Sequence, residues 1–180
     1  MKLILDAAAG NRIMWLCKSP HDFVFVDLEK NLQVKPMIIC DNTQMPFQDS
    51  IFDTIFFDPP HVWRNSSTLS MFTCQNKEIF NKRFPKYAAE RAPRYYGWDK
   101  FKTKNDLLNH ITKAINEFER ILKKDGLLFI KWCEIKIPLN EIRSALTTKF
   151  AELMILPIKS RMQTSKNQTY WITLQRKLIQ

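Results

Sequence analysis

The residues of this sequence best placed for chemistry are aspartates at the ends of apolar segments. Each directly follows a four-residue stretch rich in apolar types, and they are Asp6, Asp27, Asp41 and Asp58. If these stretches are parallel strands, their carboxyl ends share one edge of the sheet, and ligands bind at that edge. A single aspartate there could be a helix cap or a turn residue. Four in succession indicate a binding edge.

The last of these aspartates begins the segment Asp58-Pro59-Pro60-His61, which is the sharpest signal in the chain. Proline fixes its own φ at about −65° and restricts the residue before it. The segment therefore presents the Asp58 carboxylate and the Pro59 carbonyl as fixed hydrogen-bond acceptors. Taken in isolation, the segment is equally compatible with a turn that ends a strand, and His61 alone could act as a general base.

The elements that must position these residues alternate along the chain. Short apolar runs alternate with amphipathic segments, which favours an α/β fold with a mostly parallel sheet and helices on both faces. Asp125 and Gly126 are expected to end the longest helix, and the last two strands are expected to pair antiparallel. The predicted strands are residues 2–5, 23–26, 37–40, 54–57, 127–132, 153–158 and 170–174, and the predicted helices are 12–17, 106–123 and 140–147.

Length and composition restrict the class of protein. The 180 residues are 45% hydrophobic and 26% charged, which predicts one globular domain over residues 1–180 and excludes intrinsic disorder. No stretch approaches about 18 apolar residues, so no transmembrane helix is expected, and the N-terminus lacks the apolar run of a secretory signal. The four cysteines are dispersed without metal-ligand spacing, which favours free thiols and a cytoplasmic location.

The net charge is +10, and most of the excess lies in one segment. Between Val62 and Lys104 there are ten basic, three acidic and nine aromatic residues. This segment interrupts the alternation of strands and helices, so we expect it to be an insert in the domain. Cations interleaved with aromatic rings suit phosphate contacts and base stacking, and they favour a nucleic acid as the partner.

The order of an acidic first turn, two further strand-end acids and then Asp-Pro-Pro-His resembles the class I S-adenosylmethionine-dependent methyltransferases. More narrowly, it resembles the branch that methylates exocyclic amino groups and carries (Asp/Asn/Ser)-Pro-Pro-aromatic. Several phrases are similar to those of small methyltransferases of phage and prokaryotic genomes: Leu-Asp-Ala-Ala-Ala-Gly-Asn-Arg, Val-Lys-Pro-Met-Ile-Ile, Met-Pro-Phe, Phe-Asp-Pro-Pro-His and residues 130–138. The resemblance implies a Rossmann-like, seven-stranded sheet with a C-terminal antiparallel strand, and S-adenosyl-L-methionine as cofactor.

The resemblance also implies a place for the cofactor. A sulfonium cofactor with an amino-acid tail needs close backbone approach and a carboxylate in the first loop, followed by acceptors for the ribose hydroxyls and the adenine amino group. Only one glycine remains of the usual Gly-x-Gly-x-Gly. The implied residues are Asp6, Ala8 and Gly10 in the first loop, Asp27 for the ribose, and Asp41 with Asn42 for the adenine.

The Asp-Pro-Pro-His segment is implied to serve methylation of a nitrogen whose lone pair is delocalised into a ring. Two acceptors, the Asp58 carboxylate and the Pro59 carbonyl, stabilise the positive charge that develops on the nitrogen. Pro60 helps to hold them in place, and His61 stands where the family stacks an aromatic ring on a flipped or single-stranded base. The implied substrate-binding residues are Trp63 and Arg64 beside the base, with Lys82, Arg83, Arg91 and Arg94 on the nucleic acid.

The expected activity is methyl transfer to N6 of adenine or N4 of cytosine in DNA or RNA. The chain leaves no room for a separate target-recognition domain, so a protein partner could supply target recognition, and no membrane partner is expected. Three alternatives stay open. The acceptor could be a protein glutamine or a small molecule, the fold could be a non-catalytic nucleic-acid-binding module, and the insert could be a lid over the cofactor with a solvated basic face.

Overall fold

A computed structural model describes residues 2–63, 100–158 and 167–177 of the chain. Seven strands and two helices lie in these residues. The strands are β1 (Ile4–Asp6), β2 (Phe23–Asp27), β3 (Ile38–Ile39), β4 (Phe52–Phe57), β5 (Leu122–Cys133), β6 (Phe150–Ile158) and β7 (Thr169–Arg176), and the helices are α1 (Lys104–Ile121) and α2 (Leu139–Leu146). All seven predicted strands are therefore present, with ends that shift by a few residues.

The strands form one sheet in the order β3-β2-β1-β4-β5-β7-β6. The pairs from β3 to β5 are parallel, whereas β7 runs antiparallel to both β5 and β6. The predicted mostly parallel, seven-stranded sheet with a C-terminal antiparallel strand is thus confirmed. The strand order reverses between β1 and β4, and a crevice opens at the carboxyl ends of strands at such a point.

The two helices pack against each other, and their buried residues belong to one continuous core with the sheet. The Thr103 side chain accepts a hydrogen bond from the Asp106 backbone, and the Asp106 carboxylate accepts one from the Thr103 backbone, so a capping box begins α1. Its apolar stripe is buried against the sheet, with the rings of Phe118 and Phe57 4.9 Å apart. This core fixes β4, whose carboxyl end carries the Asp-Pro-Pro-His segment.

The predicted end of the long helix at 123 is two residues too late. The α1 helix ends at Ile121, and Gly126 lies instead within β5, where the pairing register with β4 shifts. A Cβ added at Gly126 would lie 2.7 Å from Cγ of Leu122 and 3.1 Å from the Asp53 carbonyl oxygen. This glycine is therefore required by close packing within the sheet, and it does not cap the helix.

The predicted helix at 12–17 is wrong, because this segment consists of turns and bends. Arg12 has a φ of 53°, and its buried guanidinium donates to the carbonyl oxygens of Lys18 and Lys35. The Lys18 ammonium in turn donates to the carbonyl oxygens of Arg12 and Trp15. The Lys18 side chain thus occupies backbone carbonyl oxygens that would accept amide hydrogens in a helix. The spacing of apolar residues does not reveal such contacts. The Trp15 ring packs edge-on against Phe56 of β4.

Within residues 2–63, 100–158 and 167–177, no helix is long and apolar enough to cross a membrane. The same residues contain no group of three or more His, Cys, Asp or Glu side chains arranged to hold a metal ion. Cys17, Cys40 and Cys133 are free thiols.

Candidate active site

Asp6 is the most buried acid at the strand edge, with 1% of its surface exposed. Its Oδ2 accepts a hydrogen bond of 2.6 Å from Trp15 Nε1, and its Oδ1 accepts one of 3.3 Å from the Ala8 backbone. Burial raises the pKa of Asp6 from 3.8 to about 6, although these two bonds lower it, and the Asp58 and Asp27 carboxylates raise it further. A bound cation would offset the cost of this buried negative charge.

Asp27 ties the first loop to the end of β2. Its Oδ2 accepts a 2.8 Å hydrogen bond from the Gly10 backbone, and its Oδ1 accepts one of the same length from the Glu29 backbone. Gly10 has a φ of +50°, and a Cβ placed on it would meet nothing within 4 Å. The loop is thus held beside open space. Each carboxylate oxygen of Asp27 keeps a second lone pair for a ligand hydroxyl.

Asp41 and Asn42 lie beyond the short strand β3. Asp41 Oδ1 accepts bonds of 2.8 Å from both the backbone and the hydroxyl of Thr43. Burial raises the pKa of Asp41, but the Thr43 bonds, His110 and Lys100 together outweigh burial, so the net pKa lies below its ordinary value.

Asn42 connects this region to the first loop. Its Nδ2 donates to the Ala7 carbonyl oxygen at 3.3 Å. Its Oδ1 is buried, and no hydrogen-bond partner for it occurs among the described residues. A buried acceptor without a donor is costly. The Asn42 amide therefore offers an unfilled acceptor next to the first loop, and a ligand N–H or O–H could fill it.

Asp58 follows β4 and is bracketed by two donors. Its Oδ2 lies 2.6 Å from Lys131 Nζ on β5, and its Oδ1 lies 3.3 Å from His61 Nε2. Burial raises the pKa of Asp58, but His61 and Lys131 outweigh it, so the pKa lies below its ordinary value. Pro59 is buried and Pro60 half-buried, and the fixed φ of each proline makes the backbone that follows Asp58 rigid.

His61 is itself held in place. Its ring meets the ring of Trp132 edge to face, with 4.9 Å between centroids and 87° between planes. Trp132 is fully buried, and its Nε1 donates to the Ile137 carbonyl oxygen at 3.1 Å. The Nδ1 of His61 is buried, and it has no partner among the described residues. His61 thus supports Asp58 in this structure, and its stacking on a base stays a prediction.

Backbone hydrogen bonds bring the predicted residues to one edge. The Ala7 amide donates to the Phe56 carbonyl oxygen at 2.9 Å, and the Ala9 amide donates to that of Val26 at 3.0 Å, so the first loop lies across the ends of β4 and β2. Trp63 packs against the hydrophobic core. The predicted residues Arg64, Lys82, Arg83, Arg91 and Arg94 lie outside the described part of the chain.

Three further residues at this edge were given no role from the sequence. Trp15 donates to Asp6, Lys131 pairs with Asp58, and His110 of α1 acts electrostatically on Asp41. Lys131 had a visible signal, because it is the only charged residue in the apolar run 127–132. Trp15 and His110 had none, since each reaches its aspartate only after distant segments have folded together.

Solved structures with the same fold identify the architecture. A TehB-like SAM-dependent methyltransferase from Corynebacterium glutamicum aligns with a TM-score of 0.54 and 14% identity, over 98% of this chain and 80% of that one. The chain has the fold of the SAM-dependent methyltransferases. A 1,6-didemethyltoxoflavin-N1-methyltransferase from Burkholderia thailandensis, solved with its substrate and S-adenosylhomocysteine, aligns with a TM-score of 0.56 and 11% identity, over 97% and 70% of the two chains.

The methyltransferase fold also hosts other chemistry, since the [4+2]-cyclase SpnF aligns with a TM-score of 0.55 and 12% identity, over 97% of this chain and 75% of that one. A scan against known protein families finds no match to the sequence. A search of curated proteins finds none either. At these identities the likeness shows the fold alone, so the reaction must be argued from the site.

Proposed function

We propose that this protein is an S-adenosylmethionine-dependent methyltransferase that acts on an exocyclic amino group of a nucleic-acid base, N6 of adenine or N4 of cytosine. The observation that carries the proposal is the Asp58 carboxylate, paired with Lys131 and His61 and followed by two prolines at the switch point of the sheet. A fixed negative charge at that place stabilises positive charge that develops on an acceptor nitrogen.

The strand-end residues fit the cofactor. Open space beside Gly10, the buried charge of Asp6 and the unfilled acceptor of Asn42 are features that a cationic ligand rich in hydrogen-bond donors would satisfy. Asp6 and Gly10 would hold the amino-acid end, and Asp27 would hold the ribose. Asp41 with Asn42 would hold the adenine. The bound cofactor would supply an electrophilic methyl group on a positively charged sulphur.

On the acceptor side, the chain supplies orientation and charge. The Asp58 carboxylate accepts a hydrogen bond from the acceptor amino group, and the Pro59 carbonyl accepts the second. These bonds would draw the nitrogen lone pair out of conjugation with the ring and stabilise the positive charge as the new N–C bond forms and the methyl–sulphur bond breaks, leaving a neutral thioether. The methylated nitrogen would then release one of its protons to solvent. Lys131 and His61 hold the carboxylate, so that little reorganisation accompanies transfer.

The charge of the chain supports a nucleic acid as the acceptor polymer. The net charge is +10, and the segment between Val62 and Lys104 carries most of it together with nine aromatic residues. Such a composition favours phosphate contacts and base stacking. A small-molecule acceptor is the second candidate, because the structural neighbours include a geranyl diphosphate C-methyltransferase and the 1,6-didemethyltoxoflavin-N1-methyltransferase.

Tritiated S-adenosylmethionine incubated with single- and double-stranded DNA or RNA tests the proposal. Wild-type protein should label nucleic acid, and nucleoside mass spectrometry should place the methyl group on N6 of adenine or N4 of cytosine. Asp58→Ala should abolish labelling, whereas Asp53→Asn, which alters the other aspartate paired with a β5 lysine, should leave it intact. Label on small molecules or protein alone would overturn the nucleic-acid acceptor. Nucleic-acid binding without cofactor binding in calorimetry would indicate a non-catalytic module.

A further inference from the structure

Strands β4 and β5 are joined by two lysine–aspartate pairs, one near each end. At the amino-terminal end, Lys123 Nζ lies 2.8 Å from Asp53 Oδ1. At the carboxyl end, Lys131 Nζ lies 2.6 Å from Asp58 Oδ2. The lysine side chains are similarly exposed, 38% for Lys123 and 31% for Lys131. The chain thus contains a matched pair of interactions, only one of which is at the candidate site.

The strand register places Lys131 beside Asp58. Phe57 pairs with Ile130 in the parallel ladder between β4 and β5, so the next residues along the two strands are neighbours. The side chains of β5 alternate, and the residues on either side of Lys131 are buried in the core. Lys131 therefore projects from the other face of the sheet. A lysine within an apolar central strand is unusual unless its charge is paired.

Asp58 is partly buried and close to a second carboxylate. Its negative charge raises the pKa of Asp6 on β1, and His61, three residues further along the chain, donates to its Oδ1. Partial burial and a neighbouring carboxylate both favour protonation. Among the described residues, Lys131 is the lysine that hydrogen-bonds to the Asp58 carboxylate. It donates to Oδ2, whereas His61 donates to Oδ1. The two donors fix the plane of the carboxylate.

We propose that Lys131 is a positioning residue of the site, whose ammonium pairs with Asp58 and fixes the carboxylate oxygens toward the acceptor amino group. This inference rests on the proposed function for its role in transfer, but its electrostatic part can be tested without any acceptor. Burial raises the pKa of Asp58, while His61 and Lys131 lower it. Removal of the lysine charge should therefore raise this pKa, and arginine should restore it.

Carbon-13 NMR of protein labelled at the aspartate carboxyl carbons measures this pKa, with Asp58→Asn to assign the signal. The pKa of Asp58 should rise in Lys131→Met, return toward the wild-type value in Lys131→Arg, and stay unchanged in the matched control Lys123→Met. An unchanged pKa in Lys131→Met would overturn the proposal. If that variant does not fold, Lys131→Gln replaces it. Failure of both uncharged variants to fold would assign Lys131 to stability and would also overturn the proposal.

The pH profile of methyl transfer tests the role of Lys131 in the reaction. In Lys131→Met, kcat/KM for the nucleic acid, measured with saturating S-adenosylmethionine, should fall by about ten- to a hundredfold. This is the fold-change expected for loss of one charge-assisted hydrogen bond. The acidic limb of the profile should move to higher pH, while the KM for S-adenosylmethionine stays unchanged. A variant with wild-type rate and profile would refute the positioning role and leave the proposed function intact. A wild-type protein that transfers no methyl group would refute the proposed function, while the NMR titration still decides the coupling of Lys131 to Asp58.

Discussion

Binding of S-adenosylmethionine is expected to weaken as the pH falls through about 6, because the pKa of Asp6 is raised to about 6. Burial is the largest cause of this shift, with Asp58 and Asp27 adding to it. A cationic ligand prefers the ionised carboxylate. When only that form binds, protonation weakens the affinity about tenfold at pH 5 and very little at pH 7.5. The pKa of Asp58 and that of Asp41 lie below their ordinary values, so both stay ionised over this range.

The raised pKa of Asp6 also predicts that the protein becomes less stable as the pH rises. This is opposite to the effect of an acid whose pKa is lowered by folding. The folded protein binds this proton more tightly than the unfolded chain, in which the pKa is near 3.8. The Asp6 contribution to the free energy of unfolding is therefore largest below pH 3.8. It is lost as the pH rises to about 6, by up to about 3 kcal/mol for a shift of about two pKa units. Asp6→Asn should remove this dependence.

Isothermal titration calorimetry with S-adenosylmethionine between pH 5 and pH 8 measures the affinity, and urea unfolding measures the stability. Asp6→Asn should bind weakly at every pH, whereas Asp125→Asn, an exposed control on β5, should follow the wild type. Burial lowers the pKa of His110, which lies near Asp41. The variant His110→Asn therefore distinguishes the titration of this histidine from that of Asp6. Wild-type affinity that is constant from pH 5 to pH 8, or full affinity in Asp6→Asn, would refute the role assigned to this carboxylate.

Substitutions at three residues test the framework of the site. Gly10→Ala should lower the free energy of unfolding by about 1 kcal/mol, because a side chain at a φ of +50° is strained; an unchanged urea midpoint would contradict this backbone conformation. Arg120→Ala should cost about 1–2 kcal/mol, since this half-exposed guanidinium donates to Glu117 and to two carbonyl oxygens of the 45–49 loop. Arg120→Lys should recover only part of that loss in the same assay. Trp132→Phe should cost about 1–2 kcal/mol, because the carbonyl oxygen of Ile137 loses its donor, and thermal unfolding that matches the wild type would argue against this bond.

The strands and the long helix could be predicted because their signals are local. The run at 54–57 and the stripe on α1 carry enough apolar residues, with the right period, to specify a strand and a helix without reference to the rest of the chain. The helix prediction for residues 12–17 was wrong for the opposite reason. The carbonyl oxygens of Arg12 and Trp15 accept from the Lys18 ammonium, and the Arg12 guanidinium reaches out of the segment to the carbonyl oxygens of Lys18 and Lys35. The spacing of apolar residues along the chain does not reveal that these side chains compete with helical hydrogen bonds.

The acids of the candidate site could also be predicted, because position after a strand is a property of the sequence. The order of residues alone is enough to put Asp6, Asp27 and Asp58 at the carboxyl ends of β1, β2 and β4, and to put a proline pair after Asp58. The direction of each carboxyl pKa shift depends on the folded arrangement. Asp6 has a raised pKa because its burial outweighs the bonds from Trp15 and Ala8, whereas Asp58 has a lowered pKa because His61 and Lys131 outweigh its burial. Electrostatic energy depends on distances through space and on exposure to water, and neither is set by separation along the chain.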